Sequence, residues 1–128
     1  MSLIFEVKTE KDFETAVTDL KKSLTENSFG VLWEMNFKEK LEEKGLDFKS
    51  NFKILEVCSP PRAKVILEQN LEAGYMLPCK MVVYEKEDGV RIGMMKPTAM
   101  AELMNDKNLN EVASEVETIL RKAIDSSK

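Results

Sequence analysis

CKMVVYEKEDGVRIGMM, residues 79–95, decides the architecture. Its first seven residues are rich in β-branched and aromatic side chains. KEDG then supplies Asp88 and Gly89, the residue types that tight turns need, and VRIGMM resumes the same β-prone composition. Two such runs joined by Asp-Gly predict a β-hairpin. Upstream, FKILEVC (residues 52–58) is a third β-prone run. Between it and the hairpin lies SPPRAKVILEQNLEAGYMLP. Here Ser59 stands as a helix N-cap and Pro60 at the tolerated first helical position, which predicts a short helix and a return loop. If the strands on either side are antiparallel neighbours, the insertion leaves and re-enters the sheet at one end. Cys58 and Cys79 then sit beside each other there, close in space and reduced.

The remaining elements follow from periodicity. Leu3 to Lys8 reads as a strand. Thr9 is the expected N-cap of a helix to Glu26, with Phe13, Ala16, Val17, Leu20 and Leu24 on one face. Phe29, Val31, Trp33, Met35 and Phe37 alternate with Gly30, Leu32, Glu34 and Asn36, predicting one strand with a single apolar face. KEKLEEKG is a short charged helix ending at Gly45. Thr98 is the expected cap of a helix to Met104. Asn108 with Glu111 forms an expected capping box for a helix to Asp125. The fold class is therefore α+β: one domain over residues 1–128, a mostly antiparallel sheet of about five strands covered by two long helices.

Composition removes several functions. Of 128 residues, 43% are hydrophobic and 33% charged, the balance of a globular domain. The net charge is −4 and Lys and Arg are dispersed, which argues against nucleic acid and against anionic membrane surfaces. MSLIFEVKTE lacks the pattern of a secretory leader, and no apolar run is long enough to span a bilayer. Two cysteines do not make a secreted disulfide framework, so a cytoplasmic protein with reduced thiols is expected. There is no histidine, and no nucleotide-binding, metalloprotease or triad motif.

Four residues are the candidate site: Trp33 as a pocket wall, Glu34 as a carboxylate among apolar neighbours, and the thiols of Cys58 and Cys79. Glu56 resembles Glu34 in its setting. Cys58 precedes a helix start, where a thiolate is favoured. Pro60 and Pro61, however, remove two of the N–H donors that would do this. Packing in the core is the reading that needs least. The motifs call for no cofactor; a soft metal ion on Cys58 and Cys79 is the one class the residues would admit. Six methionines (Met76, Met81, Met94, Met95, Met100 and Met104) crowd the second half, and thioethers together with thiolates suit Cu(I).

ENSFGVLWEMNFKEKLEEKG, FKILEVCSPPRAKVILEQN, GYMLPCKMVVYE and MMKPTAMAEL together resemble the bacterial and archaeal family called domain of unknown function 302. The most specific piece is Cys58-Ser59-Pro60 followed by Leu77-Pro78-Cys79. That resemblance implies an α+β fold like the TATA-binding-protein repeat, and a homodimer. Ser59 stands where Asn is frequent in the family, and Asn36 and Lys96 where Asp is frequent, so carboxylates at those two places are absent. The functional expectation is a homodimeric small-ligand-binding or interaction module rather than an enzyme. Its partners are a second copy and a small molecule, with no nucleic acid and no membrane. The alternatives are a thiol or soft-metal protein using Cys58 and Cys79, and an enzyme of unrecognised class using Glu34 or Glu56 near Trp33.

Overall fold

The computed structural model describes residues 2–128. The hairpin is there: β4 (Cys79–Lys86) turns through Glu87 and Asp88 into β5 (Gly89–Met95), with Lys86 opposite Gly89. Gly89 has φ +135, a conformation that side chains disfavour. Asp88 accepts two hydrogen bonds from Arg91, at 2.9 and 3.0 Å, which ties the turn to the strand that follows.

Three further strands complete one sheet: β1 (Ile4–Thr9), β2 (Gly30–Asn36) and β3 (Phe52–Cys58). The spatial order is β1-β5-β4-β3-β2, and every neighbouring pair is antiparallel. The expected α+β class and the antiparallel pairing across the insertion both hold.

One face of the sheet is covered by two helices, α1 (Phe13–Glu26) and the last helix, α5 (Lys107–Ser127). Alternation along the strands supplies the floor of the core: Leu55 and Val57, Met81 and Val83, Val90, Ile92 and Met94 all point to the helices. Leu20 and Leu24 of α1 and Leu120, Ala123 and Ile124 of α5 close it from above. The Ser23 hydroxyl donates to the Ala123 carbonyl at 2.7 Å, pinning the two helices where they touch. A short helix α2 (Phe37–Glu43) follows β2. The insertion forms α3 (Pro60–Gln69) and a 3-10 turn (Leu71–Met76), and α4 (Pro97–Met104) follows β5. The insertion and α4 dock on α5 through a second small core of Ala73, Ala101, Leu109 and Ala113.

The caps differ from those expected. Thr9 ends β1, and its hydroxyl oxygen accepts from the Lys11 N–H; the N-cap of α1 is Asp12, whose carboxylate accepts from the Thr15 N–H at 2.8 Å. A charged carboxylate three residues later is the stronger N-cap and serves the orphan donors of the first turn. In α5 the cap is Asp106, which accepts from the N–H of Asn108, the residue expected to be the cap. Ser59 occupies the N-cap position of α3 without a side-chain cap bond; Arg62 donates to its hydroxyl at 3.4 Å. Thr98 does not cap α4. Its N–H and hydroxyl both donate to Glu117 of α5, so a neighbouring helix satisfies the first turn. Asn36 ends β2 and caps α2, so the strand stops one residue before Phe37.

The single apolar face expected for Phe29 to Phe37 is also corrected. A β-bulge at Leu32 puts Val31 opposite Val57 but Trp33 opposite Glu56. One extra residue reverses the parity of everything after it. Val31 therefore faces the helices, while Trp33 and Met35 lie on the other, open face. The strict alternation of apolar residues in the sequence conceals the bulge, because Leu32 is apolar too.

Candidate functional site

The four residues singled out in the sequence fall into three places. Glu34 lies on the helix-covered face at the β2 edge, paired with Lys21 and with Lys53 at 3.2 Å. The hydrogen bond from Lys21, followed by that from Lys53, holds its carboxyl below the ordinary carboxylate range. It is an ion-paired edge residue, not a pocket acid. Trp33 is 50% exposed on the open face. The two cysteines are brought together. Cys79 pairs with Val57 in the ladder, so Cys58 is its diagonal neighbour, and both line one cavity of about 20 Å³ with Ser59, Arg62 and Leu77. Both are free thiols. Burial pushes the Cys58 thiol up, and burial together with the neighbouring Cys58 pushes Cys79 up to about 11. Neither is a thiolate at neutral pH, and the helix start after Cys58 does not reverse that.

A larger arrangement surrounds Cys79. A groove of about 290 Å³ runs past the start of β4. It is lined from the sheet by Glu56, Lys80 and Met95, from the insertion by Tyr75, Met76 and Leu77, and from α4 by Met100. Behind it lies a smaller cavity of about 40 Å³ enclosed by Ile66, Ala73, Ala101, Leu109 and Val116. Met76, Leu77, Cys79 and Met100 border both spaces and so form the partition between them. The inner space has room for a water-sized guest, but its walls offer almost nothing polar to hold one. The mouth is different. Glu56 and Lys80 are register partners on the open face, and among the described residues neither makes an ion pair of 4.0 Å or less. Trp33 extends the same row, being opposite Glu56. The arrangement offers an acid, a base and an indole on a flat β-surface, a sulfur-rich wall beside them, and an apolar recess behind.

At the other end of the open face is a polar cluster. The Tyr84 hydroxyl donates to Glu6, and Arg91 lies 3.9 Å from the same carboxylate. The bond to Glu6, with burial, pushes the Tyr84 phenol up to about 12. Alongside, Phe52 meets Phe37 edge-on and Tyr84 at a tilt, each at a ring-centroid separation of 5.8 Å. Here every charge has a partner, unlike at the groove. Sequence reading missed Lys80, Tyr75 and the grouping of Met76 with Met100. The signal was the methionine count in GYMLP and TAMAEL, which only the docking of the insertion on α4 turns into a place.

Fold and site together define a small α+β domain with a five-stranded antiparallel sheet, helices on one face, and a groove at the sheet's end. The sequence profile described as Domain of unknown function DUF302 matches residues 5–127, and the chain belongs to that family. It is similar to a protein described as uncharacterized conserved protein DUF302 from Bacillus stearothermophilus, known from a crystal structure. The two share 41% identity over 100% of both chains, with a TM-score of 0.97. No curated protein matches the chain.

Proposed function

We propose that this domain is a homodimeric small-ligand-binding module whose site is the groove beside Cys79, with no bond-making step of its own. The observation that carries the reading is the partition: one set of residues separates an apolar recess from a mouth with an uncommitted acid and base. That is the composition of a binding pocket, mostly apolar with a few placed polar groups. Reading the domain as a binder rather than a catalyst is supported by the state of the reactive groups. Cys58 and Cys79 are held protonated, and Glu34 is held in ion pairs. General acid–base work needs a group poised near the operating pH. Self-association is supported by the open face of the sheet, where Ile4 (54%), Trp33 (50%) and Met95 (40%) are exposed large apolar side chains.

The test uses an apolar anionic probe, anilinonaphthalene sulfonate, followed by its fluorescence. The native chain should enhance it, and Met100→Trp, which fills the groove, should remove the enhancement while circular dichroism stays that of the native fold. Equal enhancement by both proteins would contradict the groove as the site.

A further inference from the structure

Two groups of methionines stand in contrast. Met81 is fully buried and Met94 nearly so, both among the aliphatic side chains of the main core, where a flexible thioether fills gaps. Met76, Met95 and Met100 are not used in that way. Met76 and Met100 are half-buried, Met95 is 40% exposed, and all three line the groove with Cys79. They come from three separate elements: the 3-10 turn, β5 and α4. Four of the nine residues around this groove carry sulfur, and three of them (Met76, Cys79 and Met100) also form the partition to the inner cavity. Among the described residues no group of three His, Cys, Asp or Glu side chains is placed to hold a metal.

We propose that the groove binds one monovalent soft cation, Cu(I) or its analogue Ag(I), through the sulfurs of Cys79, Met76 and Met100. The inference rests on the groove being the binding site. It departs from a site on the two cysteines, because Cys58 lines only the small space on the other side of Cys79 and not the groove. Soft thiolate and thioether ligands select Cu(I). Charge balance selects it again. Binding breaks the Cys79 S–H bond, sends the proton to solvent through the open mouth of the groove, and forms a Cu–S bond with no change in oxidation state. A monovalent ion on one thiolate is neutral overall, and the thioethers add no charge. A neutral centre can sit against an apolar recess, whereas Zn2+ on the same ligands would retain a positive charge there at high desolvation cost. The titratable and charged groups around Cys79 are Glu56, Lys80 and Tyr75 in the groove, with Cys58 and Arg62 behind it.

The test is an anaerobic titration of the full chain with Cu(I), in competition with the chelator bicinchoninate. One ion per chain is expected. Cys79→Ser should abolish binding, and Met76→Leu combined with Met100→Leu should weaken it at least tenfold, with circular dichroism unchanged. Cys58→Ser should bind as the native chain does, and Zn2+ should not bind at the same concentration. X-ray absorption of the loaded protein should find only sulfur neighbours. The proposal is overturned if the double Met variant binds like the native chain, or if Cys58→Ser loses the ion as Cys79→Ser does. It is also overturned if the folded native chain binds no Cu(I). In that last case, continued binding of anilinonaphthalene sulfonate in the groove leaves the ligand-binding reading standing, and its loss removes both.

Discussion

Two thiols that share one small cavity invite the expectation of chemistry, yet their surroundings hold them protonated. Cys79 starts a central strand facing the helices, and Cys58 ends the neighbouring strand just before a helix whose first two residues are prolines. Burial raises both thiols, and Arg62, which lines the same cavity, does not reverse that. Iodoacetamide at neutral pH should therefore label the folded chain slowly, Cys79 slower than Cys58, with both rates rising on unfolding. Fast labelling of Cys79 in the native state would mean a thiolate that these surroundings do not provide. The closeness of the pair was legible from topology, since an insertion between antiparallel strands returns to where it left. Its sulfur company was not, because Met76 and Met100 lie on either side of the strand pair in sequence and meet only through tertiary docking. Tyr84 shows the same limit. Its bond to Glu6 joins residues 78 apart, and only the register of three strands puts them side by side. The folded phenol titrates at about 12 against an ordinary value of 10.0. The native state thus keeps a proton that the unfolded chain has released. The stabilisation is full below pH 10 and is lost as pH rises towards 12. Denaturation across that window should show a fall in stability in the native chain that is smaller in Tyr84→Phe, and the phenolate absorbance step near pH 12 should vanish in that variant.

Among the elements, type and order followed from periodicity, and ends did not. Both long helices are amphipathic on a period that alternate readings of the sequence cannot imitate. Their caps moved because several residues in a row could serve. Thr9 or Asp12, and Asp106 or Asn108, are all chemically fit, and the choice falls to the one whose carboxylate reaches the N–H of the first turn. Asp106 also accepts from the Asn70 amide at 3.0 Å, so it fastens the insertion to the last helix as well as capping it. Asp106→Ala should cost about 1 kcal/mol or somewhat more by urea denaturation, against a few tenths for Asn108→Ala. Equal effects would return the cap to Asn108. The bulge at Leu32 was invisible for a different reason. A strand with apolar residues at both parities carries no mark of where its faces exchange, and only the pairing with β3 reveals it. Its consequence is to move Trp33 from the core side to the open face beside Glu56.

At the scale of the whole molecule, the proposed function places binding away from the layer that supplies stability. The helix-covered face holds the core. Leu55→Ala, which empties a fully buried position, should cost roughly 2–5 kcal/mol without altering ligand binding. On the proposed function, the open face and its end are where the molecule meets others. Light scattering should give twice the 14.6 kDa chain mass, and Trp33→Glu should return it to the monomer; a native chain that scatters as a monomer at micromolar concentration contradicts the homodimer. The central claim is that ligands enter at the groove beside Cys79, and heteronuclear NMR with anilinonaphthalene sulfonate tests it most directly. The account predicts amide shifts confined to Glu56, Tyr75 to Lys80, and the α4 residues around Met100. Shifts centred instead on the cleft at the opposite end of the sheet, around Phe48 to Phe52 and Tyr84 to Asp88, or no shifts at all, would contradict it.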